Sequence, residues 1–145
     1  MTTTFEELLA RDGYLVYRTR GVSMEPMLRQ NRDLVVIRVP ASRLKKYDVA
    51  LYRRGDAHVL HRVVAVRDDH YLVRGDNTYA LETVPEAAVV GVLSAFTRKG
   101  RRHSAAEWPF RAYGRLWCAL YPLRHAAVAL RRLAGKALRR LGLRR

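Results

Sequence analysis

Val49-Ala50-Leu51-Tyr52-Arg53-Arg54-Gly55-Asp56-Ala57-His58-Val59-Leu60-His61-Arg62-Val63-Val64-Ala65-Val66 decides the fold class. Two runs rich in Val and Leu flank a turn at Arg54-Gly55-Asp56, and the second ends at Asp68-Asp69. β-branched runs bounded by Gly and Asp read as strands, here Val49–Tyr52 and His58–Val66. Alternation along the second run puts His61, Val63 and Ala65 on one face and His58 on the other. Outward from this pair the same texture continues. Leu34–Val39 is stopped by Pro40, Tyr71–Arg74 runs into Gly75-Asp76-Asn77, Ala88–Thr97 follows, and Tyr14–Arg18 precedes them all. Strands spaced in this way predict a small antiparallel or mixed β domain over residues 14–97 rather than a parallel βαβ sheet.

Ahead of this domain, residues 4–11 read as a short helix within a 1–13 segment. Thr4 and Glu7 have capping-box spacing, and Asp12-Gly13 ends the helix. Residues 98–108 read as a linker. From Pro109 onward Leu116, Leu120, Leu123, Ala127, Leu130, Ala134, Leu138 and Leu141 recur at steps of three or four, an α-helical stripe with the arginines mainly off it. Pro122 should divide the stripe into two helices, because it lacks an N–H and clashes with the preceding turn. The expected architecture is a mainly β domain followed by a basic amphipathic helical tail over 109–145.

The chain has 145 residues, about one domain's worth. With 49% hydrophobic residues, wholesale disorder is excluded. A single cysteine, Cys118, excludes an internal disulfide framework and a Cys-rich metal site. No uncharged apolar run approaches the roughly 20 residues of a membrane span. Glu6 and Glu7 in the first apolar patch do not suit a secretory signal, so the chain is expected in the cytoplasm or peripheral on a membrane surface.

The net charge of +15 is unevenly placed. Residues 1–100 hold 16 basic and 12 acidic groups; residues 101–145 hold 12 basic groups and one acid, Glu107. The tail is a polycation and implies an anionic partner. An anionic membrane surface is the first expectation, with Trp108, Phe110, Trp117 and Tyr121 suited to the interface. Packing on the β domain or on a protein partner comes second, and nucleic acid last, since no helix-turn-helix pattern precedes the β domain.

Three short motifs carry chemistry: Gly21-Val22-Ser23-Met24-Glu25-Pro26-Met27-Leu28, His61-Arg62-Val63-Val64, and Arg74-Gly75-Asp76-Asn77. Singly, each reads most simply as structure: a turn serine, a satisfied core histidine, a common turn. In this order and spacing they resemble the signal peptidase I superfamily of serine peptidases, which also contains the self-cleaving SOS-response repressors. The first motif resembles the family's nucleophile box. The second is similar to the His-Arg-Val motif of its archaeal and endoplasmic-reticulum branch, in which histidine replaces the lysine base. The third resembles its final Gly-Asp-Asn box. Asp33-Leu34-Val35 and Asp48-Val49-Ala50 look like its paired strand starts, with the preceding glycine replaced both times. The resemblance covers roughly residues 14–96.

That resemblance implies a serine endopeptidase that removes a leader or signal segment from a peptide or preprotein. Ser23 would be the nucleophile, His61 the general base and Asp76 the acid that orients it, with Glu82 as a second acid and Gly21, Met24 and Pro26 around the substrate. A serine hydroxyl needs a base to take its proton, an imidazole titrates near neutrality, and a carboxylate stabilises the imidazolium. Gly21 stands where some members carry an oxyanion-donating serine, so the oxyanion would rest on backbone N–H groups, chiefly that of Ser23. Lys45 and Lys46 lie on the turn before Val49, which disfavours a Ser–Lys dyad. Neither a metal nor an organic cofactor is implied. The alternatives are a noncatalytic peptide-binding or membrane-adaptor module that keeps the fold, and a self-cleaving regulator, for which the short segment before Ser23 leaves little room.

Overall fold

The computed structural model describes residues 3–142. The outermost positions of the expected N-terminal segment and tail, 1–2 and 143–145, lie outside it. The element order is α1 (Phe5–Asp12), β1 (Tyr14–Arg18), β2 (Leu34–Arg38), β3 (Val49–Arg54), β4 (Ala57–Val66), β5 (His70–Arg74), β6 (Glu82–Pro85), β7 (Val89–Arg98), β8 (Arg101–Ser104), α2 (Trp108–Ala119) and α3 (Tyr121–Arg140). The strands form one curled antiparallel sheet in the order β1-β2-β7-β3-β4-β5-β6, with β8 paired to β7. The mainly β fold with C-terminal helices is therefore as expected.

α1 forms for the reason its sequence gives. Thr4 Oγ1 accepts from the Glu7 N–H at 3.2 Å, the Glu7 carboxylate accepts from the Thr4 N–H at 2.8 Å, and Gly13 ends the helix at φ 74°. β3 is buried on both faces, since Val49 and Leu51 enter one core cluster and Ala50 and Tyr52 the other. The first cluster joins α1 and the Ser23 turn through Leu9, Met24, Met27 and Leu28, with Val35, Ile37 and Phe96 beneath them. The second sits between β3, β4, β5 and β6 around Tyr52, Val63, Tyr71 and Val84.

Two expectations about the strands change. The pairing of β4 with β5 slips between Val63 and Ala65. An extra residue in one strand reverses every later side chain. His61 and Val63 stay on one face, but beyond the bulge Val66, not Ala65, packs with Val63 against the second cluster. The expected linker 98–108 is also largely structured. β7 runs on to Arg98, and β8 pairs Ser104 with Ala95 and His103 with Phe96.

Leu120 separates α2 from α3, and Pro122 lies in the first turn of α3, where its missing N–H costs nothing. α2 packs on the sheet. Phe110 meets Phe96 edge to face at 4.7 Å, and Gly114 is buried where a Cβ would come within 2.8 Å of Arg62 Nη1. α3 buries none of its residues.

Candidate active site

The hairpin of β3 and β4 positions the candidate base, His61. Its register sets Ala50 opposite His61 and Tyr52 opposite Val59, so Tyr52 is the diagonal neighbour of His61 on the same face. Nδ1 of His61 lies 3.1 Å from the Tyr52 hydroxyl, which donates to Glu82 Oε2 at 2.9 Å. A phenol has one proton. Given to Glu82, it leaves the Tyr52 oxygen to accept from Nδ1–H of the neutral imidazole, and the lone pair falls on Nε2. Glu82 Oε1 is itself 3.4 Å from Nδ1 and is held from its other side by Arg54 at 2.8 Å.

Burial pushes the His61 pKa below its ordinary value; Glu82 and Asp76 oppose that shift and Arg54 adds to it. Burial, reinforced by Glu82, pushes the Tyr52 phenol up. The imidazole is thus neutral at pH 7 and the phenol keeps its proton.

The Ser23 turn reaches the same place from the other side. The N–H of Asn77 donates to the Ser23 carbonyl at 2.8 Å, and its side-chain amide donates to the Val22 carbonyl at 3.2 Å. Gly75 is the meeting point: a Cβ there would lie 2.6 Å from the Ser23 carbonyl oxygen and 3.1 Å from His61 Nε2. Among the described residues, no hydrogen bond joins Ser23 Oγ to His61, and none takes the Ser23 N–H. Among the described residues the one fully buried side-chain nitrogen or oxygen without a partner is Arg124 Nε, so neither Ser23 Oγ nor His61 Nε2 is wholly sealed from solvent.

Asp76 has a different task from the one expected of it. Its carboxylate accepts from Arg62 Nε and Nη2, both at 2.7 Å, and from the Tyr113 hydroxyl at 3.1 Å. Arg62 follows His61 in the strand and therefore points to the opposite face. Asp76 follows it there as a buried structural counter-ion, and the acid at the imidazole is Glu82. The Asp76 carbonyl accepts from Trp117 Nε1 at 2.7 Å and Arg124 Nη1 at 2.9 Å, so the C-terminal helices tie down the loop that carries Gly75.

Of the expected substrate contacts, Met24 is buried in the core and unavailable, Pro26 is exposed, and Gly21 is exposed at φ 77°. Three of the aromatics expected at a lipid interface are instead engaged with the body. Phe110 packs on Phe96, Trp117 bonds Asp76, and Tyr121 donates to the Tyr79 carbonyl at 2.9 Å beneath the Arg74 guanidinium. Only Trp108 stands free, 78% exposed. His58 serves α1, with Nε2 3.1 Å from Glu6 and its ring against Phe5.

Sequence reasoning missed Tyr52, although the two-residue turn Gly55-Asp56 fixes the register that puts it beside His61. Among the described residues no group of three or more His, Cys, Asp or Glu could hold a metal ion. Burial raises the Cys118 thiol pKa, which disfavours the reactive thiolate. Compared with known proteins, the chain matches no family model and none of the curated proteins.

Proposed function

We propose that the protein is a serine endopeptidase of signal peptidase I type, which removes a leader segment from a peptide or preprotein. One observation carries the reading. The turn bearing Ser23 and the free nitrogen of His61 converge on Gly75, while the far side of the imidazole is held by Tyr52 and Glu82.

In this mechanism His61 Nε2 takes the proton as Ser23 Oγ adds to the scissile carbonyl carbon. The Ser23 N–H faces the developing oxyanion. Glu82, directly and through Tyr52, stabilises the imidazolium. His61 then protonates the leaving amine, and water, deprotonated by the same nitrogen, releases the acyl group from Ser23. The small side chains expected beside the cleaved bond follow from the family resemblance.

The noncatalytic peptide-binding module is the second reading, favoured by the missing hydrogen bond between Ser23 Oγ and His61. Peptides from a proteolytic digest, incubated with the parent and with Ser23→Ala and sequenced by mass spectrometry, separate the two. The peptidase yields new termini with the parent alone. The binding module retains peptides on both proteins and cuts none.

A further inference from the structure

α3 is anchored only at its start. Arg124 holds the Asp76 carbonyl and Tyr121 the Tyr79 carbonyl, and beyond residue 126 only Val128 and Gly135 are even half-buried. At about 100° per residue, Leu123, Leu130, Leu133, Leu138 and Leu141 fall within one arc of about 140° that contains no charged residue. The remaining surface of the helix carries Arg124, Arg131, Arg132, Lys136, Arg139 and Arg140, with Arg131 and Arg140 at the two borders of the apolar arc. The body lies on the Arg124–Val128 side, so the apolar arc points away from it. Leu123 is 69% exposed and Leu130 67%.

Among a second copy, nucleic acid and an anionic bilayer, the charge favours the bilayer. A second copy would set six cations against six, with no acid on α3 to pair them. Nucleic acid would satisfy the arginines and leave the leucines in water. An anionic bilayer takes both: leucines enter the acyl boundary, and the bordering arginines reach back to the phosphates. No helix among the described residues is long and apolar enough to cross a membrane, so the mode is surface docking.

We infer that α3 lies in the interface of an anionic membrane, leucine arc inward, and holds the β domain at that surface. Because the start of α3 is bonded to the Gly75–Asp76–Asn77 loop, docking also fixes the orientation of the Ser23 turn relative to the bilayer. The inference does not depend on peptidase activity.

The test is co-sedimentation of the full chain with phosphatidylcholine vesicles, with and without phosphatidylglycerol. Binding is expected only with phosphatidylglycerol. It should weaken at least about tenfold in Leu130→Ser/Leu133→Ser and persist in Leu130→Met/Leu133→Met. Thermal unfolding should be the same in all three, since both leucines are exposed. Equal binding by the serine variant would reduce the interaction to charge alone and overturn the inference. So would absence of binding, or a dimer in solution that the serine variant dissociates.

Discussion

Nδ1 of His61 sits 3.1 Å from the Tyr52 hydroxyl, and this contact, not one to Asp76, leaves Nε2 as the nitrogen free on the Gly75 side. In the proposed mechanism Tyr52 and Glu82 act through His61 and are positioning residues. Tyr52→Phe removes the acceptor for Nδ1–H and should slow acylation of Ser23 by about tenfold or more. Glu82→Gln should slow it further, about a hundredfold, because the imidazolium loses its counter-charge. A purely structural role would leave the pH midpoint in place. Here Glu82→Gln shifts it down, since Glu82 raises the His61 pKa.

Asp76 supplies the contrasting case. It neutralises Arg62 in the interior, and both side chains are almost wholly buried. Asp76→Ala leaves a buried, unpaired guanidinium and should cost about 3–5 kcal/mol in denaturant unfolding. Its effect on Ser23 labelling should track the fraction folded, with the pH midpoint changed far less than by loss of Glu82.

The two acids show how far the sequence could be read. The strands around Val49–Val66 were legible because Val, Ile and Leu runs lie between Gly, Asp and Pro breaks. Glu82–Pro85 was not, being four residues long and ending in proline. β8, Arg101–Ser104, reads as a charged linker until it is seen completing a hairpin with β7. The candidate nucleophile turn and base came from the family resemblance of the three motifs. Assigning the acid required knowing that His61 and Arg62 face opposite ways and that β6 brings Glu82 beside β3. The bulge at Val63–Ala65 has no composition signal, and no periodicity argument extends past it. The exposed leucines of α3 were visible as a stripe, but their lack of any partner in the body was not.

Gly75 leaves no room for a side chain. Gly75→Ala would place a methyl group 2.6 Å from the Ser23 carbonyl and 3.1 Å from His61 Nε2. Separating the two should reduce labelling at least about tenfold, at a stability cost of about 1–3 kcal/mol. Peptide mapping of labelled protein, normalised to folded protein, checks this.

Stability should fall with acid for a reason local to His61. Its folded pKa lies below the ordinary value of about 6.5, so the unfolded chain binds this proton more readily. The contribution is full above that ordinary value and is lost progressively as pH falls from about 6.5 toward the folded pKa. Denaturant midpoints across this window should drop less steeply in His61→Gln than in the parent.

The central claim is that His61 activates Ser23, and covalent labelling tests it most directly. The parent, Ser23→Ala and His61→Ala are treated with a small serine-acylating probe from about pH 5 to 9, and the adduct is read by intact mass and peptide mapping. The account predicts one adduct, on Ser23, with a rate that rises through a midpoint below about 6.5, levels off by neutrality and vanishes in both variants. A parent that stays unlabelled at every pH with probes of graded size, or one labelled equally in His61→Ala, would contradict it.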